Sequence, residues 1–403
     1  MLQTHPETLE EQDQRNKPQG VLVYRFVVVP KPVFLPSEEE PPARKEEQDD
    51  VDADFVDAPK MGESRDDLES NLVNLLAFGK FIGAYPTQTL LDRVIRIIPC
   101  LLSIVAVVDL VGVTVLNPKG RRTATEIAGD FGVPGFYSLG TFLYFHFHRN
   151  THQLTQIFEK WKQLEIKVAD ARLKRFVNWV SVTILLSAIL ENATFHFKLF
   201  PVFESTESYG NISSLEVFYK RSHSHWALYI PYNPIVTFLL FLTNKWALYI
   251  WNFGDVFIAV LARAVYFRFS AILKNPETLG WEKVWYEFRQ ITEITELIEK
   301  FLSPIIFGCY TMNMYAVCMQ LHMWLTPSQS KHYLHTLYLA WSFIHLVTRV
   351  LLVSITAAKV HEEIKLFERK VQYCPNHKFT QEVNTTRDGG EFVRAKFMSI
   401  MSS

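Results

Sequence analysis

Ten polar or aromatic residues stand where the surrounding sequence is otherwise apolar: Glu191, Asn192, Tyr229, Asn233, Asn313, Gln320, Trp324, Tyr338, Trp341 and His345. Tyr232 and His322 keep them company. Polar groups are costly inside hydrocarbon, so each is a candidate for function. The mixture suits an uncharged polyol of sugar size. Aromatic rings stack on its C–H faces, while amides and a carboxylate replace the hydrogen bonds it gave to water. A second reading stays open, in which Tyr and Trp form an interfacial belt and the rest bond helix to helix.

Other reactive types form no constellation. His146, His148 and His152 stand close in sequence, and 148 and 152 are one helical turn apart. No carboxylate or thiol is spaced to complete a metal site with them, and ordinary interfacial histidines account for the run. Cys309 and Cys318 are nine residues apart and fall on opposite sides of a helix. The four cysteines in 403 residues make neither a disulfide framework nor a paired CxxC site. The sequence holds no nucleophile elbow, HExxH or P-loop, and no potassium-filter or voltage-sensor motif. Catalysis is not expected, and nothing calls for a cofactor. With 41 basic against 42 acidic residues there is no basic field for nucleic acid.

The elements that position the candidates are apolar blocks. About 20 mostly apolar residues cross a bilayer core as a helix. Six spans are expected, at 94–116, 133–147, 176–199, 226–262, 301–325 and 333–358, so the fold class is an all-α multi-span transmembrane bundle. The 133–147 block is short and aromatic, and the charge pattern requires it. The 226–262 block exceeds one crossing; Pro231 and Pro234 are expected to break its outer end, with the far end projecting into the cytosol. With the amino terminus inside, 32 Lys and Arg fall on the inner side and 7 outside, counting Arg96 inside and Lys198 outside. Both ends are therefore expected in the cytoplasm.

Residues 1–74 read as a disordered cytoplasmic tail, since 37–70 alone carries 14 acidic residues against four basic ones. No cleaved signal is expected. The sequon at Asn211 falls in an outer loop and is the expected glycan site; those at Asn192 and Asn384 are silent matches. Within 282–302, Val284, Phe288, Ile291, Ile298 and Leu302 recur at near-heptad spacing, marking a cytoplasmic amphipathic helix that leads into the fifth span and packs either on partner helices or within its own chain. The twice-occurring pentapeptide WALYI is treated as coincidence.

Four segments in order carry a resemblance: LLAFGKFIGAYP (75–86), NKWALYIWNFGDVFIAVLARAVYFRF (244–269), LSPIIFGCYTMNMYAVCMQL (302–321) and TRVLLVSITAAKVHEEIK (348–365). The sequence resembles the insect gustatory receptor family, in its sugar-receptor branch, over most of residues 75–383. The resemblance implies a plasma-membrane chemoreceptor of sensory neurons with seven spans, four subunits of which form a ligand-gated cation channel. It implies sugars as ligands, membrane lipid and other gustatory receptor subunits as partners, and a ligand site in the outer half of the bundle. It fades after Val383; residues 384–403 form a divergent tail without the family's pore-lining seventh span. The competing class is a six-span transporter or accessory membrane protein, but the paired halves and broken helices of transporters are not found.

Overall fold

The computed structural model describes residues 68–84, 97–114, 124–164, 171–199, 213–227, 229–274, 280–325 and 333–372. All of them belong to one compact unit, Glu63–Ser403. The described residues form helices: α1 Leu68–Asn71, α2 Val73–Phe81, α3 Ile97–Thr114, α4 Ala124–Arg149, α5 Thr151–Gln163, α6 Ala171–Leu199, α7 Ser214–Ser222, α8 Ser224–Ala227, α9 Pro234–Lys274, α10 Trp281–Leu325 and α11 Tyr333–Gln372.

Helix α9 is apolar all round, which is the pattern of a helix enclosed by others. In its most apolar stretch 72 % of the residues are buried, against 28 % for α6 and α10. Around it α3, α4, α10, α11 and α6 follow one another, each packed on the next. Small residues set the approach: a Cβ on Gly140 of α4 would meet the Ala247 Cα of α9 at 3.3 Å, and one on Gly308 of α10 would meet Leu139 Cδ1 of α4 at 3.0 Å. The outward faces are rows of exposed apolar side chains at helical spacing, such as Trp179, Val182, Leu186 and Ile189 on α6. Such rows are the lipid-facing surface of a bundle.

Among the described residues four helices, α6, α9, α10 and α11, are long and apolar enough to cross a membrane, and Ile97–Gly112 within α3 is a shorter apolar helix. Helix α4 contains the expected 133–147 block but is 26 residues long, because its polar flanks continue the helix. The break at the start of α9 falls at its two prolines: Pro234 is the first helical residue, where its missing N–H costs nothing. At 41, 45 and 40 residues, α9, α10 and α11 reach about 60 Å, twice the hydrocarbon thickness. Their overhanging ends pack together through Phe269, Trp285, Phe288 and Phe367, the rings of Phe288 and Phe367 stacking at 3.7 Å. Lys370 Nζ donates to the Leu273 carbonyl at 2.7 Å, closing the end of α9. The 282–302 pattern is thus satisfied within the chain.

Packing starts before residue 75, where the tail was expected to end. Leu68, Leu72, Leu75 and Leu76 are buried, so 68–74 belongs to the bundle. Gly83, with φ +80°, closes α2 in a Schellman motif: Ala84 N bonds Gly79 O at 2.8 Å and Gly83 N bonds Lys80 O at 3.1 Å. From α4, Tyr144 Oη donates to Ile82 O at 2.7 Å and His148 Nε2 to Gly83 O at 2.8 Å. His146 Nε2 donates to Phe301 O at 2.9 Å, beside Pro304 of α10. These two histidines thus hold backbone carbonyls. WALYI takes two structures: 226–227 end helix α8 and 229–230 turn, whereas 246–250 lies inside α9. Asn211, Asn384, residues 1–67 and 384–403 lie outside the described residues.

Candidate ligand site in the bundle

One face of α11 carries Tyr338, Ser342, His345 and Arg349, spaced four, three and four residues apart. That is a straight stripe about 16 Å long. Ser342, His345 and Arg349 are buried, so their polar atoms need partners within the protein. Each level of the stripe finds them on different helices.

At the first level Gln320 Nε2 of α10 donates to Ser342 Oγ at 2.5 Å, and Ser342 Oγ in turn donates to Glu191 Oε1 of α6. Tyr338 stands against the Phe195 ring of α6 at 5.5 Å. One turn deeper, His345 Nε2 donates to Asn252 Oδ1 of α9 at 3.0 Å. Asn252 is oriented for this because its Nδ2 donates to Leu248 O at 2.8 Å. His345 Nδ1 then accepts from Ser187 Oγ at 2.7 Å, and Glu191 Oε2 lies 3.7 Å from Nε2. Trp341 Nε1 donates to Ser187 O at 3.2 Å. The third level is an ion pair. Arg349 Nε and Nη2 reach Asp255 Oδ2 at 2.7 and 2.5 Å, with both side chains at most 2 % exposed. Asn313 Nδ2 donates to the same oxygen at 3.1 Å, and the guanidinium lies 4.3 Å from the Trp251 ring centre.

Among the expected site residues, Glu191, Gln320, Trp341, His345 and Tyr338 come together, with Asn313 one level below. Three buried atoms there have no partner: Gln320 Oε1, Asn313 Oδ1 and Trp251 Nε1. Two free acceptors and one free donor in a polar seam can take the hydroxyls of a bound polyol. The other expected residues fall elsewhere. Asn192 faces Lys245 of α9, away from this seam. Asn233 is the N-cap of α9, its Oδ1 accepting from Ile235 N at 2.9 Å and Val236 N at 3.3 Å. Tyr229 and Trp324 are exposed. Sequence reasoning passed over Asp255, Arg349, Ser187, Ser342 and Asn252. Opposite charges in two apolar spans were the available signal, since such charges must pair.

The end of the bundle where α9 and α11 begin is covered by α7. Ser213 caps it, accepting from Glu216 N at 3.2 Å, and Val217, Phe218 and Tyr219 are buried. Tyr219 Oη donates to Ile230 O at 3.0 Å, and beyond α7 Trp226 Nε1 donates to Asp109 Oδ1 of α3 at 3.0 Å. Burial and, secondarily, the Lys245 charge push His223 down to about 4. His223 is thus neutral when docked, facing Lys245 of α9 and His196 of α6. Its docking contribution is complete above about pH 6.5 and is lost as pH falls toward 4. Hydrogen exchange of 213–227, corrected for intrinsic rates, is expected to show less protection at pH 5 than at pH 7. His223→Gln should flatten that difference.

The sequence profile of the family described as trehalose receptor matches residues 135–388, well over half of the chain. The chain belongs to this insect gustatory receptor family. It is 23 % identical over 305 residues to the gustatory receptor for sugar taste 61a of Drosophila melanogaster, covering 70 % of this chain and 68 % of that one. It is 28 % identical over 144 residues to the gustatory receptor for sugar taste 64a of the same species, covering 34 % of this chain and 31 % of that one. In three dimensions it is similar to the insect olfactory receptor OR5 from Machilis hrabei, with a TM-score of 0.56 at 11 % identity, covering 82 % of this chain and 89 % of that one. The same receptor in complex with eugenol matches equally. The fold is thus the helical membrane fold of insect chemoreceptors, and the family is one of receptors, not enzymes.

Proposed function

We propose that the chain is a sugar-binding taste receptor subunit of a ligand-gated cation channel. Its ligand site is the seam of Glu191, Gln320, Tyr338, Trp341 and His345, with Asn313 beneath. The observation that carries this reading is the Gln320–Ser342–Glu191 chain of hydrogen bonds, which joins α10, α11 and α6 beside atoms still lacking partners. The names of the relatives supply the ligand class, and the sugar is taken up by exchanging these bonds for its own hydroxyls. Asn192, Tyr229, Asn233 and Trp324 are outside this site. Four subunits, alike or mixed with other gustatory receptors, surround the pore in the plasma membrane, with the amino terminus of each in the cytoplasm. That orientation rests on the excess of Lys and Arg on the inner side.

The resemblance assigns the conducting path to a helix after the sixth span, and 373–403 contains no apolar run of that length. Cells making residues 1–403 alone are therefore expected to show saturable sugar binding without sugar-evoked current. Current is expected when a seventh span from a related receptor is fused after Val383. Robust current from residues 1–403 alone overturns the non-conducting reading. No saturable sugar binding overturns the ligand reading.

A further inference from the structure

Lys245 is half-buried where a cation needs a counter-charge, and among the described residues it is given none. It sits 11 residues into α9, between Asn244 and Trp246, and its Nζ donates to Asn192 Oδ1 and His196 Nε2 of α6. Asn244 Oδ1 stands 3.5 Å away and the Phe241 ring centre 4.3 Å away. Every one of these groups is neutral, and no carboxylate among the described residues forms an ion pair with Lys245. Buried charges are ordinarily paired, because a neutral shell replaces the hydrogen bonds of water without cancelling the field. Asp255, the nearest acid in sequence, pairs with Arg349, and Glu191 is engaged by Ser342 and His345 in the seam.

His196 accepts from Lys245 through Nε2, so its proton is on Nδ1, and that buried atom has no partner. The ring is walled by Phe195, Phe218 and Phe241 at 5.4, 5.4 and 5.1 Å. Of these rings Phe218 belongs to the covering helix α7. One ammonium and an orphaned ring N–H, held among aromatic walls, make a site for a single small negative group.

We propose that Lys245 and His196 bind one small monovalent anion, chloride or a carboxylate, at the outer mouth of the bundle, where Phe218 of α7 lies on the His196 ring and the anion ties α7 to α6 and α9. The site is separate from the sugar seam, and its test uses no sugar.

The test is thermal unfolding of the purified full chain in detergent, at constant ionic strength. The bulky sulfonate anion of HEPES is replaced stepwise by chloride in one arm and by acetate in the other. The midpoint is expected to rise by about 2–4 °C in at least one arm. A rise with chloride alone assigns the site to the halide, and a rise with acetate alone assigns it to carboxylates. Lys245→Arg should keep the rise and Lys245→Met should abolish it. Should Lys245→Met fail to fold, His196→Met, which keeps a thioether acceptor for Lys245 but has no N–H donor, should show a smaller rise. An unchanged midpoint in the wild type, or a full rise in Lys245→Met or His196→Met, overturns the proposal.

Discussion

Replacing Asp255 by alanine is expected to destabilise the bundle by about 3–5 kcal/mol, the ordinary cost of leaving one member of a buried ion pair alone. Arg349 has no route to solvent: its side chain is 1 % exposed and its guanidinium lies over Trp251. Asp255 Oδ2 accepts from Arg349 and from Asn313, so its loss unpairs groups on α11 and α10 together. Arg349→Met is expected to be similarly severe, because it leaves a carboxylate in an apolar helix. The double replacement Asp255→Leu with Arg349→Met removes both charges, and it should recover most of the loss. Thermal unfolding in detergent and the amount of folded protein at the cell surface read these effects. If Asp255→Ala costs under about 1 kcal/mol, the pair is not enclosed as described.

Truncating Trp341 to alanine is expected to raise the half-maximal sugar concentration about thirtyfold, corresponding to about 2 kcal/mol for a buried aromatic anchor. Trp341 is the large ring on α11 between Tyr338 and His345, fixed by its bond to Ser187 O. The control is Trp179→Ala on α6, a ring of the same size that is 69 % exposed on the lipid side and should leave the response within about twofold. The readout is sugar binding by the full chain, or current after fusion of a seventh span. Equal effects of the two truncations would remove Trp341 from the site, and the seam is lost as a site if Glu191, Gln320, Trp341 and His345 can each be replaced without consequence.

Much of the proposed site was within reach of sequence reasoning because its helices are regular. Gln320, Trp341, His345 and Glu191 stand out as polar or amphipathic breaks in apolar runs, and a buried helix carries such breaks only toward other helices. Asn233 misled because amides serve both ligands and helix starts; with Pro234 after it, the capping role was the one the local sequence favoured. Arg349 and Asp255 were passed over although each interrupts an apolar span, since a lone charge on one helix says nothing about which helix holds its partner.

What the sequence determined by itself is what short-range chemistry determines. Length and hydropathy of the apolar blocks set the helices, the two prolines set the start of α9, and four ordered segments set the family. Tertiary structure alone decided which breaks face one another. Adjacent helix residues point about 100° apart. Glu191 therefore turns to Ser342 and His345, whereas Asn192 turns to Lys245. Tertiary packing also decided that 68–74 joins the bundle, because leucines in a polar stretch gain burial only when α2 and its neighbours offer a surface. The rotation and depth of each helix depend on close contacts such as Gly140 against Ala247, and those contacts lie between residues more than 100 positions apart in the chain.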